Sequence, residues 1–322
     1  HAFFFFVILL LGEGAAGFVR ELGLLLGVGG GFFWLGSHTV MFDLTSDEDR
    51  DRFYGLYNVL ASLVTMIAPF IAGAVLARVP GTPGYRIIFL VSLLFLAGSA
   101  AVTLLLRERS ADGAFDLWTA LRSDDNPDWR RVMWINGLTG VRDGVFVFFV
   151  GLLLYMATES EFAVGTLVLL GGAVTVMMSW IVGIRVNSSN RSRPLTVGFF
   201  GTALSPLVLV WSPSPFGILL FTLVEALFSP LYDIPFEAVS YKALETDPDA
   251  GNMRVEYMVA REIPLNLGRL LGVAAFIYAA PHMAGVPNRV RLFVAIVGLL
   301  PVLAWWAHPA LLRDERSAVA TD

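Results

Sequence analysis

Apolar residues along the chain gather in runs that are each about as long as a lipid bilayer is thick. A window of roughly 19 residues separates ten such runs. They lie near 2–18, 22–43, 55–78, 86–106, 132–156, 162–184, 194–211, 216–241, 254–280 and 289–307. Because a helix of about 20 apolar residues crosses the hydrocarbon core, the pattern predicts an all-α integral membrane protein with about ten transmembrane helices.

Composition agrees with this fold class and excludes several functions. The chain is 56% hydrophobic and 15% charged, whereas soluble domains have about 25% charged residues. It contains no Cys, and its four His show no metal-binding spacing, so we expect no metal site and no cofactor. A net charge of −5 without a basic cluster argues against nucleic-acid binding. The sequence has no P-loop, nucleophile elbow or dinucleotide fingerprint, so an enzyme is not expected.

The distribution of Lys and Arg between the links predicts the orientation in the membrane. Ten crossings put both ends on one side, and 14 of the 22 Lys and Arg residues fall on that side. Three more lie inside spans, and the opposite side has only five. This excess predicts a protein of the inner (plasma) membrane with both ends in the cytoplasm.

The eighth predicted span, 216–241, contains Glu225, Asp233 and Glu237. At 100° per residue they form one drifting polar stripe. A charged side chain in hydrocarbon costs at least a few kcal/mol, so each must face protein, water or a partner charge. We predict that Glu225, nearest mid-membrane, is a substrate or proton site. Asp233 and Glu237 are predicted to hold the closed cytoplasmic face.

The ninth predicted span, 254–280, has a second polar face. Glu262, Asn266 and Arg269 follow the i, i+4, i+7 spacing of one helix face, and Arg261 lies beside them. We predict a cytoplasmic gate role for Arg261 and Glu262. Arg269 lies deeper, so Arg269 and Asn266 are candidates for the substrate pathway.

Two further spans carry polar residues near their middle. In the fifth, Arg142 and Asp143 point about 100° apart and can meet different partners. Arg142 either binds an anionic substrate group or forms a buried ion pair with the eighth span. In the second, Trp34 and His38 are candidate pathway residues, with ordinary helix packing as the alternative, and His is the side chain that titrates near neutral pH.

The longest link has the features of a short interfacial helix. Phe115, Trp118 and Leu121 recur at three-residue spacing, which predicts an amphipathic helix at the membrane surface. Asn126 followed by Pro127 predicts a cap and first helical position for the fifth span. The alternative is a disordered linker.

A repeated start signal predicts two related halves. Residues 45–48, TSDE, have the pattern of a capping box before the third span, and residues 246–249, TDPD, precede the ninth. Transporters often consist of two related halves. If the third and ninth spans are equivalent, the second half has six spans and the first has four, which predicts two more helices before His1.

Three segments resemble the major facilitator superfamily. Residues 42–76 look like its link between helices four and five and its fifth helix. Residues 183–200 are similar to a degraded form of its basic loop between helices eight and nine, where Arg191 and Arg193 fit. Residues 259–273 resemble the eleventh helix of an uncharacterised bacterial branch. By this resemblance, Arg191 and Arg193 join the cytoplasmic gate.

The resemblance implies a twelve-helix fold in two bundles, truncated by its first two helices. The domains expected are a four-helix bundle at 1–106, a cytoplasmic linker at 107–131, a six-helix bundle at 132–312 and a tail at 313–322.

The implied function is secondary active transport of a small solute by alternating access, in a monomer. Charged residues in the fifth, eighth and ninth predicted spans number five acidic against three basic, which adds a proton as an expected partner. The alternative is a non-transporting membrane sensor or interaction protein on the same fold.

Overall fold

The structure is a computed structural model that describes residues 1–105, 115–122, 126–159, 161–247, 252–283 and 286–306. These residues form helices joined by short links, with no strand among them. The helices are α1 Ala2–Leu11, α2 Val19–Leu44, α3 Arg50–Arg78, α4 Thr82–Thr103, α5 Leu117–Arg122, α6 Pro127–Thr158, α7 Glu161–Arg185, α8 Ser192–Leu204, α9 Pro206–Trp211, α10 Pro215–Glu245, α11 Arg254–Met283 and α12 Pro287–Leu299, with 3-10 segments at Gly12–Phe18 and Leu300–Trp306.

Eight helical runs in the described residues are long and apolar enough to cross a membrane, judged by length and composition. The first, Ala2–Leu44, holds two of the ten predicted spans. Its helix α1 folds back along α2. This is shown by the rings of His1 and Phe33, which lie 5.7 Å apart. The turn between them is the 3-10 segment, where Gly12 has a φ of 53° that favours glycine. The link predicted near residue 20 is therefore wrong in position, since Arg20 lies inside α2.

Two other predicted spans are helical but not single α-helices. The seventh, 194–211, consists of α8 and α9, which meet at Ser205 and Pro206. The tenth, 289–307, is α12 followed by the 3-10 segment Leu300–Trp306. Proline lacks a backbone N–H, so the α-helical hydrogen-bond ladder is interrupted where Pro206 enters.

The two start signals that predict a repeat lie several residues before the helices that follow them, which begin at Arg50 and Arg254. The helix α3 begins at Arg50, and the Thr45 hydroxyl accepts a hydrogen bond from Arg50 Nε at 3.2 Å. Thr246 follows the end of α10, and its hydroxyl donates to the Ala243 carbonyl at 2.7 Å. Both threonines thus serve other contacts, and the repeat that rests on them stays a prediction.

The chain forms two compact units. The first contains residues 1–41 and 67–113, and in it the Phe5 and Phe89 rings of α1 and α4 lie 5.8 Å apart. The second contains residues 42–66 and 114–322. The predicted domains are consecutive along the chain. The compact units are not, because residues 42–66 group with the later helices.

The second unit is packed through aromatic side chains and close helix crossings. Phe146 and Phe221 stack at 5.7 Å in a core that α6, α9, α10 and α12 share. The crossing of α6 and α11 is tighter. A Cβ at Gly268 would lie 2.2 Å from the Gly137 carbonyl oxygen, and one at Gly272 would lie 2.2 Å from the Val141 carbonyl oxygen. Gly268 and Gly272 therefore permit the close approach of the two helices.

The described part of the long link is helical and capped. Asn126 accepts a hydrogen bond from the Trp129 backbone at 2.9 Å, with Pro127 in the first turn, which confirms the predicted cap of α6. The helix α5 packs against α11, with Ala120 buried. Hydrogen bonds from Thr119 and the Trp118 backbone lower the pKa of Asp116, which caps α5. Residues 107–114 and 123–125 of the predicted linker, and the predicted tail at 313–322, lie outside the described residues.

Candidate functional site

The centre of the candidate site is an ion pair between α6 and α10. Arg142 Nη2 donates to Glu225 Oε2 at 2.7 Å. The Arg142 side chain is 9% exposed and that of Glu225 is 24% exposed. Glu225 lies within α10, and this hydrogen bond shows that its carboxylate faces α6. The ion pair that sequence reasoning held as one of two alternatives for Arg142 is present.

Hydroxyl and carbonyl groups of α8 and its break complete the surroundings of this pair. Arg142 Nη2 also donates to the Thr202 carbonyl at 3.1 Å. The Ser205 hydroxyl lies within hydrogen-bond distance of Glu225 and of the same Thr202 carbonyl, which is 2.9 Å away. One hydroxyl proton therefore serves two acceptors. The break between α8 and α9 at Pro206 places Ser205 beside the carboxylate.

A line of alternating charges runs from this pair to α11. Arg142 Nη1 lies 3.8 Å from Asp143 Oδ1, and Arg269 Nη2 lies 3.9 Å from Asp143 Oδ2. Arg269 donates to Asn266 at 3.4 Å, and Asn266 donates to Glu262 at 2.9 Å. These contacts confirm that the three predicted residues of α11 share a face. Together with Glu225 and Ser205, these residues form what we call the mid-helix cluster: Arg142, Asp143, Ser205, Glu225, Glu262, Asn266 and Arg269.

The buried guanidinium of Arg142 has unused hydrogen-bonding capacity. Its Nε is buried and has no hydrogen-bond partner among the described residues. Its guanidinium also lies 5.2 Å from the centre of the Phe146 ring. The Glu225 carboxylate and the Thr202 carbonyl therefore do not use all the hydrogen-bond donors of this guanidinium.

A second group of charges lies where the helices end. Arg191, in the link between α7 and α8, is fully buried. Its Nε donates to Asp51 at 2.7 Å, and its Nη1 donates to Asp47. Burial lowers the pKa of Arg191, but the carboxylates of Asp51 and Asp47 outweigh burial and raise it above its usual value. These residues are part of a larger group that we call the helix-end network. Its members are Asp47, Arg50, Asp51, Arg191, Glu237, Tyr241, Glu245 and Arg261.

One tyrosine ring lies between two further ion pairs of the helix-end network. Arg261 donates to Glu237 at 2.6 Å, and Arg50 donates to Glu245 at 3.2 Å. The Tyr241 ring lies between these cations, 5.3 Å from the Arg50 guanidinium and 5.8 Å from that of Arg261. The network therefore joins α3, α10 and α11 through one buried ring.

Four predicted site residues stand apart from these groups. Asp233 and Arg193 are exposed, and no ion pair involves either within the part of the chain that the structure describes. Trp34 and His38 belong to the first unit, where their rings stack 5.8 Å apart. The described residues contain no cluster of three or more potential metal ligands.

Comparison with known proteins decides the family. The model of the Major Facilitator Superfamily matches residues 2–240. The chain belongs to the major facilitator superfamily. Members of this superfamily carry small solutes across membranes, so the chain is a multi-pass membrane protein of a transporter family rather than of an enzyme family.

Two bacterial proteins are similar to this superfamily member, and both are described as uncharacterised. It is 30% identical over 302 residues to the uncharacterised protein YqgE of Bacillus subtilis, covering 92% of this chain and 69% of that protein. An uncharacterised Geobacillus stearothermophilus protein, from the sodM 3' region, is 43% identical over 89 residues, which are 28% of this chain and 42% of that one.

A solved structure shows the same fold. The crystal structure of the human organic anion transporter MFSD10 (TETRAN) matches with a TM-score of 0.60 and 16% identity. The match covers 84% of this chain and 66% of the human one. The superfamily member therefore spans about two thirds of the length of the Bacillus and human proteins.

Several residues of both groups were not foreseen from the sequence. The acidic partners of Arg191, Asp47 and Asp51, lie about 140 positions away in the chain. Tyr241 and Ser205 are uncharged and sit in apolar runs. A small polar residue directly before Pro206 was the one available signal for Ser205, since a helix break exposes polar groups that need partners.

Proposed function

We propose that the protein is a secondary active transporter that moves a small solute across the inner (plasma) membrane by alternating access, as a monomer with both ends in the cytoplasm. The observation that supports this most directly is the Arg142–Glu225 pair. It lies within membrane-crossing helices of a transporter family, and it keeps a buried guanidinium nitrogen without a partner among the described residues. Ionisable residues inside such helices typically mark substrate or proton pathways.

In this proposal, the Glu225 carboxylate and an anionic solute alternate at Arg142, and a proton on Glu225 decides which of them is bound. While Glu225 is ionised, it occupies the guanidinium at 2.7 Å. Protonation of Glu225 removes its charge, and an anionic group of the solute then replaces it beside Arg142. Asp143, Asn266 and Arg269 extend the pathway along α11. Trp34 and His38 of the first unit stay proposed as residues that the solute or proton meets.

The solute class we propose is a small organic anion. The human neighbour is by its printed name an organic anion transporter, and at 16% identity that likeness speaks for the fold alone. The argument for this chain is therefore its own: Arg142 is buried and bidentate guanidinium groups suit carboxylates. Loss of the Glu225 charge is what makes this position available, which couples solute to proton.

The helix-end network is the proposed cytoplasmic gate. Arg191 with Asp47 and Asp51, and Arg261 with Glu237, join separate helices through ion pairs. Such contacts can hold one face closed and separate when it opens. Asp233, Glu262 and Arg193 are proposed to take part in this gate in another state of the cycle.

Flux measurements on the full-length protein test the proposal. A thermal-shift screen with organic anions and cations first selects a ligand, which is then followed into proteoliposomes with and without a proton gradient. We expect uptake to respond to the gradient in the wild type. Glu225→Gln should still bind the anion but lose the gradient response, and Arg142→Gln should lose binding.

The matched control is Glu21→Gln, an exposed carboxylate of α2. It should retain both binding and gradient response. Full gradient dependence in Glu225→Gln would contradict the proton role of Glu225. Ligand binding without flux in the intact protein would instead support a membrane sensor on a transporter fold.

A further inference from the structure

A groove lies along the crossing between α6 and α11, and no residue of the mid-helix cluster lines it. Its volume is about 520 Å³. Gly137 and Gly268, which lie at the close approach of the two helices, are among the residues that line it. Trp134, Leu267 and Leu271 form its walls, and they are 72%, 52% and 55% exposed. An apolar groove with this exposure in a membrane-crossing helix pair faces hydrocarbon.

The groove has the length of one membrane leaflet. It reaches from Arg130, in the first turn of α6, to Val141. These residues are eleven positions apart in one helix, which is roughly 16 Å at about 1.5 Å per residue. Half of a hydrocarbon core about 30 Å thick is about 15 Å. A single acyl chain that begins at the membrane surface therefore fits between the two ends.

Charge at the groove is confined to its surface end. Of the described residues that line it, Arg130 alone carries a charge. Arg130 is exposed and has no ion pair among the described residues, whereas the neighbouring carboxylate of Asp128 is paired with Arg131. Arg130 therefore places a positive charge at the end of the groove where the headgroup of a bound lipid would lie.

The helix α5 marks this end as the level of the membrane surface. It contributes Leu121 to the groove. Next to it, the Arg122 guanidinium lies 5.0 Å from the centre of the Trp118 ring, and Trp118 is 61% exposed. Exposed Trp and Arg side chains are typical of the interface between headgroups and acyl chains.

We propose that this groove binds one anionic phospholipid of the surrounding membrane, with its phosphate at Arg130 and one acyl chain between Trp134 and Leu267. An anionic lipid fits better than a zwitterionic one, because no carboxylate lines the groove to pair with an ammonium group. The lipid covers the seam between α6, which carries Arg142, and α11, which carries Arg269.

Lipid retention by the full-length protein tests this site. The protein is equilibrated with mixed phosphatidylglycerol and phosphatidylethanolamine in detergent, and bound lipids are counted by native mass spectrometry. We expect one retained phosphatidylglycerol. Arg130→Gln should weaken its retention about tenfold, as for loss of one charge-assisted hydrogen bond. Leu267→Trp should displace it by filling the groove.

The control for the loss of a surface arginine is Arg185→Gln, at the exposed end of α7. It should retain the lipid as the wild type does. Equal retention in Arg130→Gln and Arg185→Gln would overturn the proposal, and so would equal retention of the two lipids by the wild type.

A photoreactive diazirine side chain in place of Leu267 identifies the occupant directly. Cross-linking to a phospholipid, with phosphatidylglycerol preferred, would support the proposal. Cross-linking to a peptide would overturn it, because another helix of the same protein or a second copy would then cover the groove.

Discussion

At the scale of single residues, the stability of the second unit depends on how the buried charge of Arg142 is balanced. Arg142 is 7% exposed and relies on Glu225 for its closest charged contact. We predict that Glu225→Gln lowers the free energy of unfolding by about 2 kcal/mol. This is below the roughly 3–5 kcal/mol typical of broken buried pairs, because glutamine still accepts a hydrogen bond. The apparent melting temperature in detergent measures the change.

A double substitution tests whether the two side chains of the ion pair stabilise each other. Arg142→Met combined with Glu225→Gln should recover part of the stability, because the uncompensated charge is then gone. The double-mutant cycle should show a coupling of about 1–3 kcal/mol. Additive losses, with no coupling, would mean that the two side chains do not stabilise each other in the membrane protein.

Residue identity predicted the charged members of the site better than their partners. Ionisable side chains in apolar runs single out Arg142 and Glu225, since hydrocarbon tolerates few of them. The neighbours that complete the pair, Ser205 and the Thr202 carbonyl, give no comparable signal. Which polar group meets which charge depends on how α8 packs against α10, and a sequence pattern does not contain that packing.

At the scale of helices, the crossing of α6 and α11 fixes the distance between Arg142 and Arg269. A Cβ at Gly144 would lie 2.3 Å from the Arg269 carbonyl oxygen, which is closer than real contacts allow. We predict that Gly144→Ala separates the helices and costs about 1–3 kcal/mol of stability, the usual range for overpacking. Thermal unfolding in detergent measures this cost.

The same helix offers the control, Gly151→Ala. A Cβ at Gly151 meets no heavy atom within 4 Å. Alanine should there be neutral or stabilise the helix by about 0.5–1 kcal/mol, because glycine loses more conformational freedom on folding. If both alanine variants were equally stable, the close approach of α6 and α11 at Gly144 would not contribute to stability.

Helix existence followed from the sequence, and helix boundaries followed only in part. Apolar length predicted the crossing segments because bilayer thickness sets that length. It could not place the turn at Gly12–Phe18, where charged Arg20 and Glu21 drew the prediction to a later position. Local backbone freedom at glycine, rather than hydropathy, decides where α1 ends.

At the scale of the whole molecule, chain order and compact units do not coincide. Helix α3 contributes residues 50–66 to the second unit and 67–78 to the first. Its beginning is tied to the second unit by Asp51 with Arg191 and by Tyr54, whose hydroxyl donates to that of Tyr241 at 2.8 Å. Contacts between residues this far apart in sequence leave no local pattern, so hydropathy alone divided the chain elsewhere.

These ties make a prediction about conformational change in the full-length protein. Ser179 of α7 is fully buried where Gly55 of α3 approaches Gly183. If ion pairs of Arg191 hold this contact closed, Arg191→Gln should increase maleimide labelling of Ser179→Cys about tenfold, as for a shift of roughly 1.4 kcal/mol between two states.

Arg185→Gln, which removes an exposed charge nearby, should leave the labelling rate unchanged, and equal rates in both backgrounds would contradict the gate. Labelling of Ala203→Cys, buried in α8, should stay slow throughout, because opening of the network differs from unfolding of the second unit.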